Sequence, residues 1–469
     1  MDVKDVKKNS RIEEDSMGRL RVPEDAYWGV QTQRAIENFP ISGIRLPREF
    51  IWALGLVKMA AAEANMSLDL LDQKIGSAAA RAAKEVADGT WDSQFPVDVF
   101  QTGSGTSTNM NANEVIANRA NEILGSPRGS KHPVHPNDHV NMGQSSNDII
   151  PTCIHISGTD SIKNRLIPAL KKMKQALVLK SNAFDSIVKL GRTHLQDATP
   201  ISLGQEFSGF ASMIDHGIDR IEKSLDHLLE LAIGGTAVGT GINTDPKFPQ
   251  FVIKKVNEIT GLGFREAENH FEAQGARDAI VHASAALKTL SVSLIKIAND
   301  IRWLGSGPYG GIGELLIPPV QPGSSMMPGK VNPVMAESLI QVAAQVIGCD
   351  AAITVGGLSG NFELNVMMPM MAYNFLLSLN LLKNAVTVFT DKCINGLQAD
   401  QKRCRELVEK SLAMVTALAP VTGYDKAAEI AKEAYQTGVP LKEMVIKKKI
   451  LPAEEVEKLL DPTTMTGKS

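Results

Sequence analysis

The segment at residues 323–333 combines residue types that could bind an anion and move a proton. It reads GSSMMPGKVNP, so two hydroxyls, two glycines, one lysine and one asparagine fall within eleven residues. Glycine lets the backbone approach a ligand closely, and successive N–H groups in such a turn can form an anion-binding nest. Pro333 favours the first position of a following helix, whose dipole attracts anions. We therefore predict a carboxylate or phosphate site in which Lys330 adds a full charge and Ser324 is a potential base.

This segment differs from the nucleotide-binding P-loop. In that motif four residues separate the first glycine from Gly-Lys, and Ser or Thr follows the lysine. Here five residues separate Gly323 from Gly329, and Val331 follows Lys330. An ordinary connecting loop is the alternative interpretation, although a lysine and paired serines at this density are unusual for one.

Hydroxyl and amide side chains also cluster in three other segments. Alone, each cluster has a structural interpretation, because Ser and Thr cap helices and Asn fills turns. Together they could surround a small anion with neutral donors. The candidates are Ser104 and Thr106 in a Gly-Ser-Gly-Thr turn, Ser145, Ser146 and Asn147 in succession, and Thr193 beside His194.

Long helices must position these segments, because helical periodicity dominates the middle of the chain. Apolar residues step by three and four, as one buried helix face requires. Alternating strand patterns are hard to find, so we predict an all-α fold with a central bundle of long helices. Pro168 predicts a kink. The series are Phe207, Phe210, Ile214, Ile218, Ile221, Leu225 and Leu228; Ile162, Leu166, Leu170, Met173 and Leu177; Leu287, Leu290, Leu294, Ile297 and Ile301; and residues 334–353.

A division into three domains follows from these patterns. We expect an N-terminal helical domain at residues 1–145, a central helical bundle at 146–398 and a small C-terminal helical domain at 399–469. The second boundary lies where Asn395, Gly396 and Leu397 end a helical pattern.

Bulk properties exclude several classes of protein. A net charge of −3 offers no basic excess for nucleic acid. The sequence contains no run of about twenty apolar residues, so it predicts no membrane span. The N-terminal stretch has mixed charge and lacks the apolar region of a signal peptide. The four cysteines, Cys153, Cys349, Cys393 and Cys404, show no CxxC spacing and predict reduced thiols in a cytoplasmic protein, although a removed organelle presequence would leave no trace.

The GSSMMPGKVNP segment resembles the signature loop of the fumarase/aspartase superfamily, whose members eliminate a group across a C–C bond and in many cases release fumarate. Three further stretches match the same superfamily in the same order. They are residues 101–114, beginning QTGSGT, residues 135–148, which contain HPND and SSND, and residues 191–197, GRTHLQD. The resemblance implies an all-α, three-domain homotetramer whose central domains form one helical core, with each active site shared between subunits.

The resemblance also implies catalytic roles. Ser324 would take the C3 proton of malate, and His194 would serve as acid or base at the hydroxyl end, acting through water. Glu337 matches the glutamate that pairs with this histidine and raises its basicity. The carboxylate that gains charge would be held by Lys330, Asn332 and the backbone of Ser325 and Val331.

Two groups of binding residues carry over in the same way. The substrate contacts would include Ser104, Gly105, Thr106, Ser145, Ser146, Asn147 and Thr193, and a second anion site would be formed by His135, Pro136, Asn137 and Asp138. A metal site at His135, Asp138 and His139 is the alternative, since histidines four apart can share a helix face. Pro136 makes that helix doubtful, and the chemistry of the superfamily requires neither metal nor cofactor.

Within the superfamily the chain resembles class II fumarases more than aspartases. Its TGSGT, SSND and SGNFELN stretches are fumarase-like. Met142 and Gly143 stand where Lys-Ser is common, Tyr309 replaces a common arginine, and VMAE at 334–337 is more aspartase-like. The expected activity is reversible hydration of fumarate to L-malate, a step of the tricarboxylic acid cycle, by anti addition through an aci-carboxylate. Aspartate ammonia-lyase activity and a non-catalytic scaffold are the alternatives.

Overall fold

The structure is a computed structural model that describes residues 10–467 of the 469-residue chain. In chain order the helices are α1 (Val30–Asn38), α2 (Arg48–Ser67), α3 (Gln73–Ala87), α4 (Thr106–Ile123), α5 (Ser146–Ser161), α6 (Ile167–Ala183), α7 (Leu203–Leu228), α8 (Phe248–Thr260), α9 (His270–Gly275), α10 (Asp278–Leu304), α11 (Val334–Gly357), α12 (Met368–Lys392), α13 (Gln401–Lys410), α14 (Ala419–Thr422), α15 (Tyr424–Thr437), α16 (Leu441–Lys447) and α17 (Ala453–Leu459). Helices dominate, so the all-α prediction is confirmed.

Short strands and tighter or wider helical turns connect these helices. The strands are β1 (Ser10–Asp15), β2 (Gly18–Pro23), β3 (Val188–Thr193), β4 (Gln196–Ser202), β5 (Glu230–Leu231), β6 (Arg265–Glu266), β7 (Leu315–Leu316), β8 (Gly360–Asn361), β9 (Leu364–Asn365) and β10 (Gln398–Ala399). They form two-stranded sheets, of which β5 with β6 is parallel and β1–β2, β3–β4, β7–β10 and β8–β9 are antiparallel. Turns of 3₁₀ type lie at Asp92–Gln94, Ile394–Gly396, Leu412–Ala417 and Pro462–Met465, and π turns at Pro136–Val140 and Ile162–Leu166.

The predicted helical series lie on buried helix faces. All members of the series from Phe207 to Leu228 lie in α7 and are at most 5% exposed. The Leu287 to Ile301 series is fully buried in α10. The irregularity predicted at Pro168 is a π turn at Ile162–Leu166, directly before the proline, and helical backbone continues from α5 through this turn into α6. Prolines and π turns are both known causes of irregularity within a helix.

The chain divides by its internal contacts into two compact units. The first contains Met1–Pro168, Asp219–Thr289 and Ala344–Leu382, and the second contains Ala169–Ile218, Leu290–Ala343 and Lys383–Ser469. The boundaries fall within α6, α7, α10, α11 and α12. The three consecutive domains expected from the sequence stay a prediction.

In the first unit, α2 is the central helix. It contacts α3, α5 and α8, and most of its side chains are buried. Gly55 permits the close approach to α3, since a Cβ there would lie 2.5 Å from the backbone nitrogen of Ala87. One lysine, Lys58, is among the buried residues of this helix.

In the second unit, the β3–β4 hairpin contacts the C-terminal helices. Strand β3 contacts α13, and Leu190 of that strand belongs to an apolar cluster with Val408, Met414 and other buried residues of the C-terminal segment. The hairpin is therefore fixed at its base, and its turn carries Thr193 and His194.

Helices α10 and α11 are long and apolar enough to cross a membrane by length and composition, with mean hydropathy of 1.4 and 1.5. The most apolar parts of these helices are 50% and 39% buried within the single chain. Core helices of soluble proteins pass the same test, so this observation is weak evidence for a membrane span.

Candidate active site

The first donor segment lies where α4 begins. The Ser104 and Thr106 hydroxyl oxygens are 2.8 Å apart, and Ser104 is only 8% exposed. Gly105, with φ of 74°, occupies the N-cap position and has no side chain that could cap the helix. The backbone is tightly packed there, because a Cβ on Gly103 would lie 1.8 Å from the carbonyl oxygen of Val366. Hydroxyl groups and the positive end of a helix thus meet at a fixed position.

The second donor segment opens α5, and one of its serines has a structural role. Ser145 is the N-cap and forms a capping box with Asp148, whose carboxylate accepts from the Ser145 N–H at 2.9 Å. Ser146 accepts from the Asn109 side-chain amide at 3.2 Å. Asn147 donates to the carbonyl of Ala237 at 2.8 Å. The segment is therefore fixed before any ligand binds.

Asp148 holds this segment in place from the protein interior. Its carboxylate is fully buried and also accepts from the N–H groups of Gly234 and Thr236, at 3.1 and 2.9 Å. Burial raises the pKa of Asp148 to about 6, although these N–H groups oppose the shift by stabilising the charged form. The SSND stretch thus includes a carboxylate that holds the local backbone in place.

His194 sits at the tip of the β3–β4 hairpin in a strained turn. Thr193 pairs with Gln196, and the two residues between them, His194 and Leu195, have φ of 55° and 60°. Two positive φ angles are the geometry of a type I′ turn, which usually holds Asn and Gly. Non-glycine residues there cost free energy, and such strain clusters at functional sites.

A buried ion cluster supports this hairpin. Arg192 donates two hydrogen bonds to the Glu314 carboxylate, at 2.9 and 2.8 Å, and Glu314 is fully buried. Lys189 lies 3.3 Å from Glu314 and 3.2 Å from Glu206. Burial raises the pKa of the Glu206 carboxyl group, and the nearby Lys189 ammonium opposes that shift. The cluster ties β3 to the segment that leads towards Ser324.

The 323–333 loop is exposed and folded back on itself. Ser324 Oγ accepts from the N–H groups of Met326 and Met327, at 3.1 and 2.9 Å. Gly323 N–H donates to the carbonyl of Lys330 at 2.9 Å. Two N–H groups aimed at one hydroxyl oxygen favour its anionic form, which is what a serine base needs.

The remaining loop residues lead into α11. Asn332 donates to the Gly323 carbonyl at 2.5 Å. The Lys330 side chain is exposed and has no carboxylate partner among the described residues. The sequence predicted Pro333 at the first position of a helix. Helix α11 instead begins at Val334, so Pro333 directly precedes it.

The expected pairing of His194 with Glu337 is not formed within one chain. No ion pair or hydrogen bond joins these two side chains in the part of the chain that the structure describes. The resemblance assigns each site to several subunits, so the pairing stays a prediction. The other role assignments stay predictions for the same reason.

The predicted second anion site forms a single π turn. His135 caps it, and its Nδ1 accepts from the N–H groups of Asn137 and Asp138 at 3.3 and 3.2 Å. His139 Nδ1 accepts from the His135 N–H at 2.8 Å, and burial lowers the pKa of His139. Between residues 10 and 467, no group of three or more His, Cys, Asp or Glu side chains is arranged to hold a metal ion.

The structure distributes the candidate residues over both units. Ser104, Gly105, Thr106, His135, Pro136, Asn137, Asp138, Ser145, Ser146 and Asn147 belong to the first, and Thr193, His194, Ser324, Ser325, Lys330, Val331, Asn332 and Glu337 to the second. A cavity of about 820 Å³ in the second unit is lined by residues such as Val188, Arg405 and Leu441 and by no predicted site residue.

Sequence reasoning missed the buried polar groups beneath these segments. Lys58 lies in the apolar stretch LVKMAAA, and a charge in such a stretch was a detectable signal. Asn109 and Asn113 lie one helical turn apart on α4, but asparagine in a helix has no single interpretation. Glu314 carried no sequence signal, because its partners are distant in the chain.

Comparison with known proteins agrees with this architecture. The family described as lyase matches residues 18–348, and the fumarase C C-terminus matches residues 414–467. The class II fumarate hydratase of Nitrosomonas europaea is 54% identical over 97% of this chain and 99% of its own length. That of Halobacterium salinarum is 54% identical over 97% of each protein.

Solved structures give the same result. Recombinant class II fumarase from Schistosoma mansoni has a TM-score of 0.95 and 38% identity, covering 98% of this chain and 99% of that one. Fumarate lyase:delta crystallin from Brucella melitensis, bound to cobalt, has a TM-score of 0.94 and 45% identity, covering 98% and 100%. By sequence and fold over nearly its whole length, this chain belongs to the class II fumarate hydratase family.

Proposed function

We propose that the protein catalyses the reversible hydration of fumarate to L-malate. The observation that carries this proposal is the pair of N–H groups that point at Ser324 Oγ in the exposed GSSMMPGKVNP loop. An oxygen held in this way can accept a proton from carbon, and Lys330 in the same loop can balance the charge that develops on the substrate.

In the malate-to-fumarate direction, Ser324 acts as the alkoxide that its two N–H contacts stabilise, removes a proton from C3 and becomes the hydroxyl. The electrons move into the adjacent carboxylate, which becomes an aci-carboxylate held by Lys330, Asn332 and the loop backbone. The intermediate then expels the C2 hydroxyl, which takes a proton delivered through water by His194 and leaves as water. Neutral donors such as Ser104, Thr106 and Ser146 recognise the dianion without over-stabilising the ground state.

The test is fumarate absorbance with purified protein, offered L-malate and L-aspartate separately. We expect rapid fumarate formation from L-malate and no appreciable ammonia release from L-aspartate. Ammonia release at a rate that matches malate turnover would favour an aspartate ammonia-lyase. No turnover of either substrate would favour the non-catalytic scaffold.

Metal independence is part of the proposal and has its own test. The proposed steps use side chains and backbone groups alone, so activity should survive prolonged dialysis against EDTA and exposure to air. Activity that EDTA abolishes and a divalent metal restores would overturn this part. We further propose a cytoplasmic location, consistent with the four buried free cysteines, and cell fractionation tests it.

Assembly into a homotetramer with shared sites is also proposed. The candidate residues lie in several distant segments, and His194 and Glu337 are unpaired with each other within the described chain. Inactive Ser324→Ala and His194→Asn chains, unfolded together and refolded, should then regain partial activity. A fully active monomer in sedimentation experiments would contradict the shared site.

A further inference from the structure

Lys58 is a buried cation whose partners are neutral amides. The residue is 1% exposed, and its Nζ donates to Asn141 Oδ1 at 3.0 Å and to Gln144 Oε1 at 2.8 Å. No carboxylate lies within ion-pair distance of it in the described chain. A buried charge without a counter-charge is costly, and burial lowers the pKa of Lys58 to about 7, opposed by the more distant Cys153 and Asp148.

The Asn141 side chain is the centre of this cluster. Its Oδ1 accepts from three donors, Lys58 Nζ and the side-chain amides of Asn109 and Asn113, both at 3.1 Å. Its Nδ2 donates to the Gln144 carbonyl at 3.1 Å. The reversed amide orientation would set a donor against three donors, so the cluster fixes which way Asn141 points.

Asn109 connects the Asn141 cluster to the two donor segments at the starts of α4 and α5. It lies near the start of α4, whose first residue is Thr106, and its side-chain amide also donates to Ser146 Oγ at 3.2 Å. Ser146 is the first residue of α5. Because the Ser146 oxygen already accepts a hydrogen bond from Asn109, its own proton is available for an acceptor such as a carboxylate.

The cluster is a poor arrangement for stability alone. The Oδ1 atoms of Asn109 and Asn113 are buried without a hydrogen-bond partner among the described residues. Unsatisfied buried oxygens and a buried cation without a counter-charge both destabilise a fold.

We propose that Lys58 is a positioning residue for dicarboxylate binding. Its Nζ orients Asn141, Asn141 orients Asn109, and Asn109 sets the Ser146 hydroxyl to donate to a substrate carboxylate. This inference rests on the proposed function and adds a residue that touches neither substrate nor reacting atoms.

Three variants of the full-length protein test the chain of contacts. Lys58→Met removes the ammonium and keeps a chain of similar length. Asn109→Leu removes the contact with Ser146 and keeps Lys58. Asn113→Leu is the matched control, because Asn113 lies on the same helix, is equally buried and donates to the same Asn141 oxygen, but has no bond to Ser146. KM and kcat for fumarate are measured for each, together with the thermal midpoint.

Loss of one oriented hydrogen bond to the substrate should raise KM about tenfold in Lys58→Met and Asn109→Leu, with a smaller change in kcat. Asn113→Leu should change KM less than about threefold at a similar loss of thermal stability. A merely structural role would instead lower the amount of active enzyme and leave KM unchanged in all three variants.

The outcomes separate the two proposals. A parent protein inactive on fumarate and malate would overturn the proposed function and this inference with it. An active parent whose Lys58→Met form keeps KM within about twofold overturns this inference alone. If Lys58→Met does not fold, the comparison of Asn109→Leu with Asn113→Leu decides, and equal KM values in those two overturn it.

Discussion

Glu314 and Ser324 are close in the chain of the second unit but lie in opposite surroundings. Glu314 is fully buried, and its carboxylate meets Arg192 and Lys189. Ser324 belongs to an exposed loop whose neighbouring Met326 is 86% exposed. The first segment is bound to the protein by ion pairs, whereas the second is bound mainly to itself. We infer that stability and chemistry are carried by separate segments, and this separation can be tested.

A second contrast concerns Lys58 and Lys189, the lysines that are fully buried between residues 10 and 467. Lys189 lies beside two carboxylates, Glu206 and Glu314, whereas Lys58 meets amide oxygens. Both residues are 1% exposed, so burial alone does not distinguish them. The difference lies in the counter-charge: two carboxylates lie beside Lys189, whereas Lys58 has none and its burial lowers its pKa to about 7.

The largest effect should come from the buried ion cluster. Glu314→Gln leaves Lys189 and Arg192 short of counter-charge, which should lower the free energy of unfolding by about 3–5 kcal/mol. Urea denaturation at one fixed protein concentration measures this, because the proposed assembly would make stability depend on concentration. Glu454→Gln is the control, since that side chain is 85% exposed. If Glu314→Gln lowers the free energy of unfolding by less than about 1 kcal/mol, the inferred separation of stability and chemistry between the two segments is wrong.

The exposed loop should show the reverse behaviour. Ser324→Ala should lower kcat on the order of 10²-fold or more with a modest change in KM, because it removes a group needed in the transition state. The urea midpoint should stay close to that of the parent. Ser325→Ala is the matched control, since the predicted role of Ser325 uses its backbone. Exchange of the malate C3 proton in deuterated water is the direct measurement, and parental exchange in Ser324→Ala would show that Ser324 is not the base.

Burial of Lys58 should make the stability of the protein depend on pH. The folded pKa of Lys58 is about 7, below its ordinary value of 10.5, so between these values the unfolded chain binds a proton that the folded chain does not. Stability from this residue therefore rises with pH across that window, by at most about 1.4 kcal/mol per pH unit. Lys58→Met should lose this rise, and Lys458→Met, 78% exposed in the parent, should keep it. Parallel curves for parent and Lys58→Met would contradict the assignment.

The smallest effect is expected at Met142, beside the second donor segment, where the resemblance to the superfamily predicts a lysine. Met142 contributes its carbonyl oxygen, which accepts from Asn65 and Gln144 at 3.1 Å. Because the backbone makes these contacts, Met142→Lys should change stability by no more than about 0.5 kcal/mol and leave KM for fumarate unchanged. A large change in KM would show that the side chain at position 142 contributes to the site.

Much of this arrangement was visible in the sequence. Apolar periodicity located α7, α10 and α11, because a helix that buries one face must repeat its apolar residues at helical spacing. The donor-rich segments were found by composition and by resemblance, and the structure places them at the starts of α4 and α5, in a hairpin turn and in an exposed loop. Ser145 is partly an exception, since its hydroxyl caps a helix, as the structural interpretation of that residue proposed.

What could not be predicted depends on contacts between distant parts of the chain. The pairing of Arg192 with Glu314 spans more than a hundred residues, and the bond from Asn109 to Ser146 joins two separate helices. The strained turn at His194 was equally hidden, because the residues His and Leu do not signal a type I′ turn. Each of these features exists only when several elements pack together.

The sequence by itself determined the helical class, the family and the chemical character of the loop at 323–333, because periodicity and short motifs are local properties of the chain. The tertiary structure decided which polar residues are buried and what they face. Lys58 and Lys189 are both lysines in the sequence, and their surroundings alone make one an ion-paired anchor and the other a cation among amides. The physical reason is that the free energy of a buried charge depends on its neighbours, and folding brings those neighbours from remote positions in the chain.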